Sequence, residues 1–528
     1  MFVWTAVMQQ VEEGKLDLRS DVNRYLHGVR IPDAFSEPVT LENLMTHTAG
    51  FEDRVIGLFA KTSATMRPLA EVIRTTMPAR VFPPGKITAY SNYGTALAAQ
   101  VVEQVSGIPF EQYLNQRILG PLGMQHSTLA QPLPSGLAPD MAKGYKWTAN
   151  RLEEETFEYV PLAPCGGMSM AGEDMARFMM AHLADGALGS ARILRPETAR
   201  LMREPLIVYS PRVPGMLHGF MGFENNGVRA FGHGGDTVWF HSMTVMIPAR
   251  NTGFFVAYNT DSGSAARSQF VNVFFDHYFP SPLPKEAPAP KNSRAALEKF
   301  AGTYYSARSS QSDYSGLNRL MGAVTASVNR DGYLVMAGSR WRQIEPLLFA
   351  EVDGRRRLAF RQDGSGNIID ACASPVCTAV LLKQPFWRTR GVEMGVAETC
   401  LAILVIALIG FPIAAVTQWR EPRPRTAGLA RLVAWLTWAC FLAGLMVLFP
   451  ALDATDDVVF GTPRAIRIVT SLWTLSAVCS LATLAFAGYS WREGWWRLPG
   501  RVSYSAVSIV AAAAALWLYH WNLVGLAR

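Results

Sequence analysis

The chain has 528 residues, too many for one hydrophobic core, so two or three domains are expected. Hydrophobic residues make up 49% and the mean hydropathy is +0.11, high for a soluble protein, which points to a membrane part. The net charge of +7 does not signal nucleic acid, because the arginines cluster beside apolar spans and no basic helix or aromatic-basic platform is present.

Residues 3–13 read as an amphipathic helix closed by Gly14. They carry no basic leader, long apolar run or small-residue cleavage site, so they are not read as a signal peptide. Residues 39–51 read as a short helix ending in a polar turn at Thr46-His47-Thr48 and a glycine. His47 is a possible catalytic group, but a histidine in such a turn is read first as one that holds backbone groups.

Next comes Phe82-Pro83-Pro84-Gly85, a turn that delivers Tyr90-Ser91-Asn92 just before an apolar helical run over 95–107. A phenol and an amide placed there would point from a loop into a cleft. A tyrosine acts as acid or base only if nearby cations and its surroundings pull its pKa down. A second helix is expected over 110–119, stopped by Gly120-Pro121. Gly167-Met168-Ser169-Met170-Ala171 is one residue away from a nucleophile elbow. Leu162-Ala163-Pro164 is a poor strand, so Ser169 is read as a turn or N-cap residue of a helix over 174–183.

Strands follow: 228–236, which runs into His233-Gly234-Gly235-Asp236, then 242–247 and 253–259, joined as a hairpin by Pro248–Asn251. Residues 269–278 read as a helix. The proline-rich stretch 281–292 reads as a stiff linker and domain boundary. Residues 293–392 show short strands (302–305, 324–328, 333–336, 357–360) between turns, the pattern of a small all-β domain with no evident catalytic cluster. Within it, Cys372 and Cys377 are close enough for a bridge or a metal pair; free thiols or a loop bridge are favoured, since no Cys/His set completes a zinc site. No metal or cofactor is expected.

The last part, 396–526, carries four apolar spans: about 399–419, 432–452, 468–489 and 503–526. Each is near the roughly 20 residues a bilayer crossing needs. None contains Asp, Glu, Lys or Arg, which argues against a transporter and for an anchor or packed bundle. The first connecting loop carries Arg420, Arg423, Arg425 and Arg431, and the third carries Arg492, Arg497 and Arg501. The second carries Asp453, Asp456 and Asp457 against Arg464 and Arg467. The first and third loops are therefore expected inside the cell, with residues 1–395 outside.

Residues 1 to about 280 resemble the class C β-lactamase-like serine hydrolases, a family that includes penicillin-binding proteins, esterases and D-amino-acid peptidases. The matching stretches are Thr5–Leu18, Leu44–Gly50, Phe82–Gly85 leading to Tyr90-Ser91-Asn92, and Gly232–Gly235. The resemblance implies an α+β fold, an antiparallel sheet with helices, then the small all-β domain and the four spans. It also implies acyl-enzyme chemistry on a β-lactam, ester or D-alanyl peptide substrate of the peptidoglycan type. Tyr90 matches the tyrosine that handles the nucleophile's proton, and Asn92 matches the substrate-binding amide. His233, Gly234 and Gly235 match the strand that lines the cleft, and the backbone N–H of Asp236 matches an oxyanion donor.

One element of that pattern is missing. The family's Ser-x-x-Lys precedes the helix that here begins at Met1-Phe2, and no lysine in this sequence has a serine three residues before it. The cation that would lower the pKa of Tyr90 is therefore expected to be absent. Two expectations follow: a hydrolase of the periplasmic or extracellular face whose natural start lies upstream, or a non-catalytic binding or sensor protein that keeps the cleft.

Overall fold

The computed structural model describes residues 1–282, 294–417, 424–451 and 458–525. The chain forms two compact units. One comprises 1–54, 58–308 and 324–383; the other comprises 55–57, 309–323 and 384–528. The parts expected on either side of the 281–292 linker thus pack in one unit, and most of that linker lies outside the described residues.

The first unit is built on helix α1 (Phe2–Glu12). Every residue from Val3 to Gln10 is buried, so this helix is a core element and not a surface one. Its buried amides are donors inside the core: Gln9 donates to the Ile193 carbonyl at 2.8 Å and Gln10 donates to Tyr113 Oη at 2.9 Å. Trp4 leaves no room beside it. A Cβ on Gly219 would lie 2.2 Å from the Trp4 Cβ. Helix α2 (Leu41–Met45) is started by a capping box in which Thr40 and Asn43 satisfy each other's backbone N–H groups. Helix α3 (Asn92–Ser106) packs Ala96, Leu97, Ala99 and Val101 into the same core as α1. It ends at Gly107, whose φ of 77° is the left-handed cap that glycine supplies.

Helix α4 (Gly172–Leu183) starts two residues earlier than the sequence suggests, with Ala171 as its N-cap. Ser169 is not that cap, a correction to the sequence reading. It sits in a two-residue strand opposite Thr128, because the chain stays extended until Gly172.

The sheet has six antiparallel strands in sequential order: β1 (Pro205–Ile207), β2 (Met216–Leu217), β3 (Met221–Asn225), β4 (Val228–Asp236), β5 (His241–Ile247) and β6 (Thr252–Tyr258). Helix α5 (Gly263–Tyr278) places Phe275 against Phe223, Val245 and Ile247.

A closed eight-stranded barrel completes this unit: β7 (Gly302–Ser306), β8 (Val324–Val328), β9 (Leu334–Met336), β10 (Ser339–Glu345), β11 (Leu348–Glu351), β12 (Arg357–Gln362), β13 (Ile368–Ala373) and β14 (Leu381–Lys383). Phe300, Tyr304, Trp341, Phe349 and Phe360 fill its interior. The all-β expectation holds, and the strands that escaped the sequence reading are β10, β11, β13 and β14. In β10 the polar run Arg340, Arg342, Gln343 hides the inward Trp341. Cys372 and Cys377 form a disulfide, which closes the choice the sequence left open.

The second unit contains four helices long and apolar enough to cross a membrane: α6 (Arg390–Thr417), α7 (Arg425–Ala451), α8 (Arg464–Arg492) and α9 (Leu498–His520). The first and second connecting loops lie largely outside the described residues, including Arg420, Arg423, Asp453, Asp456 and Asp457. The helices are tied by side chain to backbone bonds. Trp473 Nε1 donates to the Phe441 carbonyl at 3.0 Å, Ser476 to that of Thr437 at 2.9 Å, and Tyr504 to that of Ala430 at 3.0 Å. Gly444 admits the Trp473 indole, which would stand 2.2 Å from a Cβ there.

His182 on α4 is fully buried against Phe178 and Phe220, and its Nε2 meets Thr5 Oγ1 at 3.2 Å. Burial pushes its pKa from the ordinary 6.5 down to about 3, so the folded protein holds it neutral. Between those values the unfolded chain binds a proton that the folded chain does not. Its contribution to stability is therefore full above pH 6.5 and falls with acidification, by about 3 kcal/mol at about pH 4. His182→Gln keeps a hydrogen-bonding group for Thr5 without the titration. Its unfolding midpoint, followed against pH, is expected to fall less steeply on the acid side than that of the parent chain.

Candidate active site

Tyr90 sits at the end of an extended segment that leads straight into α3. Ser91 caps that helix, its Oγ accepting from the Gly94 N–H at 3.1 Å, so the turn that starts α3 also sets the direction of Tyr90. One side of the segment is held by the residues after α2. The Thr48 carbonyl accepts from Gly85 N–H at 2.8 Å and the His47 carbonyl accepts from Ala89 N–H at 2.9 Å. Gly50 allows this close approach: its φ is 83° and a Cβ would lie 1.9 Å from the Phe82 carbonyl oxygen.

His47 is buried, in the left-handed region at φ 55°. Its Nδ1 accepts from the Ser91 N–H at 3.2 Å, and its ring lies 4.1 Å from that of Tyr90. Burial holds His47 well below its ordinary pKa, which keeps Nδ1 free to accept. This agrees with the backbone-holding reading of that histidine.

The other side of the segment is held by the barrel. The Tyr90 N–H donates to the Thr378 carbonyl at 3.0 Å, and the Val380 N–H donates to the Thr88 carbonyl at 3.0 Å. Arg361, whose guanidinium pairs with the buried Asp370 at 2.6 Å, reaches the Lys86 carbonyl at 3.4 Å.

The Tyr90 hydroxyl meets His233 Nε2 at 3.4 Å. His233 Nδ1 faces the Gly234 carbonyl, which can only accept. The neutral ring therefore carries its proton on Nδ1, and Nε2 accepts from the phenol. Burial pushes His233 down to about 4, so it is neutral near pH 7. Burial also holds the Tyr90 phenol well above its ordinary range, the nearby Cys165 thiol adds to that, and Arg308 opposes both. The Arg308 guanidinium lies 4.7 Å from the Tyr90 ring centre, and its Nε donates to Asp53 Oδ2 at 3.0 Å. The expectation that Tyr90 lacks a cation is thereby corrected: an arginine supplies it from the end of β7, in the domain read as having no catalytic cluster.

The remaining expected residues lie as follows. Asn92 is the first residue of α3, half-buried, and its amide makes no hydrogen bond among the described residues. Gly234, Gly235 and Asp236 end β4, opposite Met243, Ser242 and His241 of β5. Strand β3 pairs with β4 only along 228–232, so no strand covers that edge over 233–236 among the described residues. The Asp236 carboxylate is engaged by His241 Nδ1 at 2.7 Å and Arg267 Nη1 at 2.8 Å. Asp53, Cys165 and Arg308 were not found from the sequence. Cys165 is pushed up to about 12, mainly by burial, which makes it inert as a thiol.

The β-lactamase family model, described as Beta-lactamase, matches residues 1–274, more than half of the chain. The chain belongs to the Beta-lactamase family. Penicillin-binding protein 4 of Amycolatopsis lactamdurans is 27% identical over 292 residues, covering 52% of this chain and 73% of that protein. The D-alanyl-D-alanine-carboxypeptidase/endopeptidase AmpH of Escherichia coli is 28% identical over 34% of this chain and 45% of its own. The putative penicillin-binding protein PbpX of Bacillus subtilis is 31% identical over 36% and 45%. The chain thus spans less than half the length of two of these three relatives. Among solved structures, SurE is similar in fold, with a TM-score of 0.50 and 20% identity over 72% of this chain and 85% of that one. Within this Beta-lactamase family fold, Tyr90 and His233 come from a helix-capping loop and a sheet strand that are 143 residues apart.

The turn after β4 is braced by Glu158. Its buried carboxylate accepts from Thr237 Oγ1 at 2.6 Å, Val238 N–H at 2.8 Å and Trp239 N–H at 3.1 Å. Glu158→Ala leaves those donors unpaired and is expected to cost about 2–4 kcal/mol. Glu158→Gln, which keeps one acceptor oxygen, is expected to cost less. Chemical unfolding midpoints of the two variants check the order.

Proposed function

We propose that the protein is a membrane-anchored serine hydrolase that acts outside the cytoplasmic membrane of a bacterium. Its substrates are β-lactam, ester or D-alanyl peptide bonds of the peptidoglycan type. The observation that carries this reading is the Tyr90–His233 contact at 3.4 Å beside an uncovered strand edge over 233–236. An extended acyl chain can add along that edge by main-chain hydrogen bonds, with the Asn92 amide facing its side and the Asp236 N–H facing its carbonyl oxygen. The reading requires a nucleophilic serine within reach of Tyr90 and of that strand edge. Serine Oγ attacks the carbonyl carbon and its proton passes through Tyr90 to the leaving amine or alcohol. Water then attacks the acyl-enzyme and releases the acid. The arginine-rich first and third connecting loops support the outward orientation of residues 1–395.

A fluorescent penicillin or fluorophosphonate tests the reading on protein expressed from the gene with its upstream frame and on the chain from Met1. The longer protein is expected to label and the chain from Met1 is not. Tyr90→Phe is expected to slow labelling of the longer protein by roughly 100-fold. Absence of label from the longer protein, or an upstream in-frame stop without Ser-x-x-Lys, overturns it. The lack of that pair in the sequence in hand favours one other reading, reversible binding of peptidoglycan fragments without acylation, and binding without label would establish that instead.

A further inference from the structure

The geometry points to Arg308 as a positioning residue for Tyr90, and to the β-barrel as a working part of the site. Three observations converge on one phenol. The guanidinium lies over the ring at 4.7 Å, the distance at which a cation and an aromatic face attract. Its Nε is pinned by Asp53 at 3.0 Å, and Asp53 is buried while the arginine side chain stays 40% exposed. This fixes the cation on the ring instead of leaving it free in solvent. The barrel loop between β13 and β14 also bridges the Tyr90 segment, with Thr378 accepting from Tyr90 N–H and Val380 N–H donating to Thr88. Arg308 directly follows Ala307, which is buried in the same patch as Ala89, Cys372 and Val380. The segment that carries the cation and the segment that holds the loop therefore belong to one packed surface.

The physical consequence is directional. A buried phenol is hard to ionise, and a neutral His233 cannot offset that. The Cys165 thiol and the Asp53 and Asp236 carboxylates disfavour the phenolate; Arg308 is the positive charge set against the ring, and it favours the phenolate that forms when Tyr90 gives up its proton. Positioning and charge together suit Tyr90 for moving a proton where a bare buried tyrosine would not. The inference rests on the reading of Tyr90 as the proton-handling group, but it is tested without turnover.

The full chain is prepared with 3,5-difluorotyrosine at position 90, a residue whose phenol ionises closer to neutrality, and the ring is followed by fluorine NMR against pH. Arg308→Met is expected to raise the ionisation midpoint by about one unit, a tenfold loss in the ionisation constant. Arg308→Lys, which restores the charge, is expected to recover at least half of the rise. Arg308→Gln serves in the same role if the methionine variant does not fold. An unchanged midpoint in the neutral variant, or an equal rise in the lysine variant, overturns the inference. Acylation by penicillin with no fluorine shift would sink this inference and leave the hydrolase reading standing, and a shift without acylation would do the reverse.

Discussion

The site depends on a two-sided grip on the segment from Lys86 to Ser91. On one side the carbonyls and Nδ1 around His47 accept its N–H groups; on the other the loop between β13 and β14 pairs with it through Thr378 and Val380. The segment is short and polar in its backbone, and Thr88, Ala89 and Ser91 are buried. Its N–H and C=O groups would each cost free energy if left unpaired, so both partners are needed to bury it. Tyr90 inherits its position from that satisfaction. The helix cap at Ser91 then transmits the same constraint to α3, which packs on α1 in the core.

Burial decides the charge state of the cleft. His47 and His233 are both driven to the neutral form, and each then uses one ring nitrogen as an acceptor, for Ser91 N–H and for the Tyr90 hydroxyl. A cleft with neutral histidines leaves Arg308 as the cation that opposes Cys165, Asp53 and Asp236 at the phenol. The opposing charge, Asp53, meets the guanidinium at its Nε and so directs the flat face toward the ring.

The membrane-type helices solve a different problem with different groups. Their apolar spans carry no Asp, Glu, Lys or Arg, so helix–helix contact relies on Trp, Ser and Tyr donating to backbone carbonyls across the pair, and on small residues such as Gly444 that admit a large neighbour. These groups hold the helices together.

The sequence by itself determined the elements whose signal is local. The β domain, the four apolar spans, the turn that sets Tyr90 before α3 and the strand at His233-Gly234-Gly235 follow from periodicity and turn chemistry, and the α+β fold and the family follow from the resemblance that the ordered motifs carry. It misplaced Ser169, where two extended residues precede a glycine and nothing nearby marks the true helix start. It missed β10, whose inward tryptophan is flanked by outward arginines. Only the tertiary structure decided the partners of Tyr90. Asp53 and Arg308 stand 255 residues apart and Arg308 stands in a barrel with no motif of its own, so no local pattern couples them. The same is true of the Cys372–Cys377 bond and of the backbone bridge at Thr378–Val380: whether a thiol pair closes or two backbone segments pair depends on which surfaces meet when the chain packs. That is a property of the folded core and not of spacing along the chain.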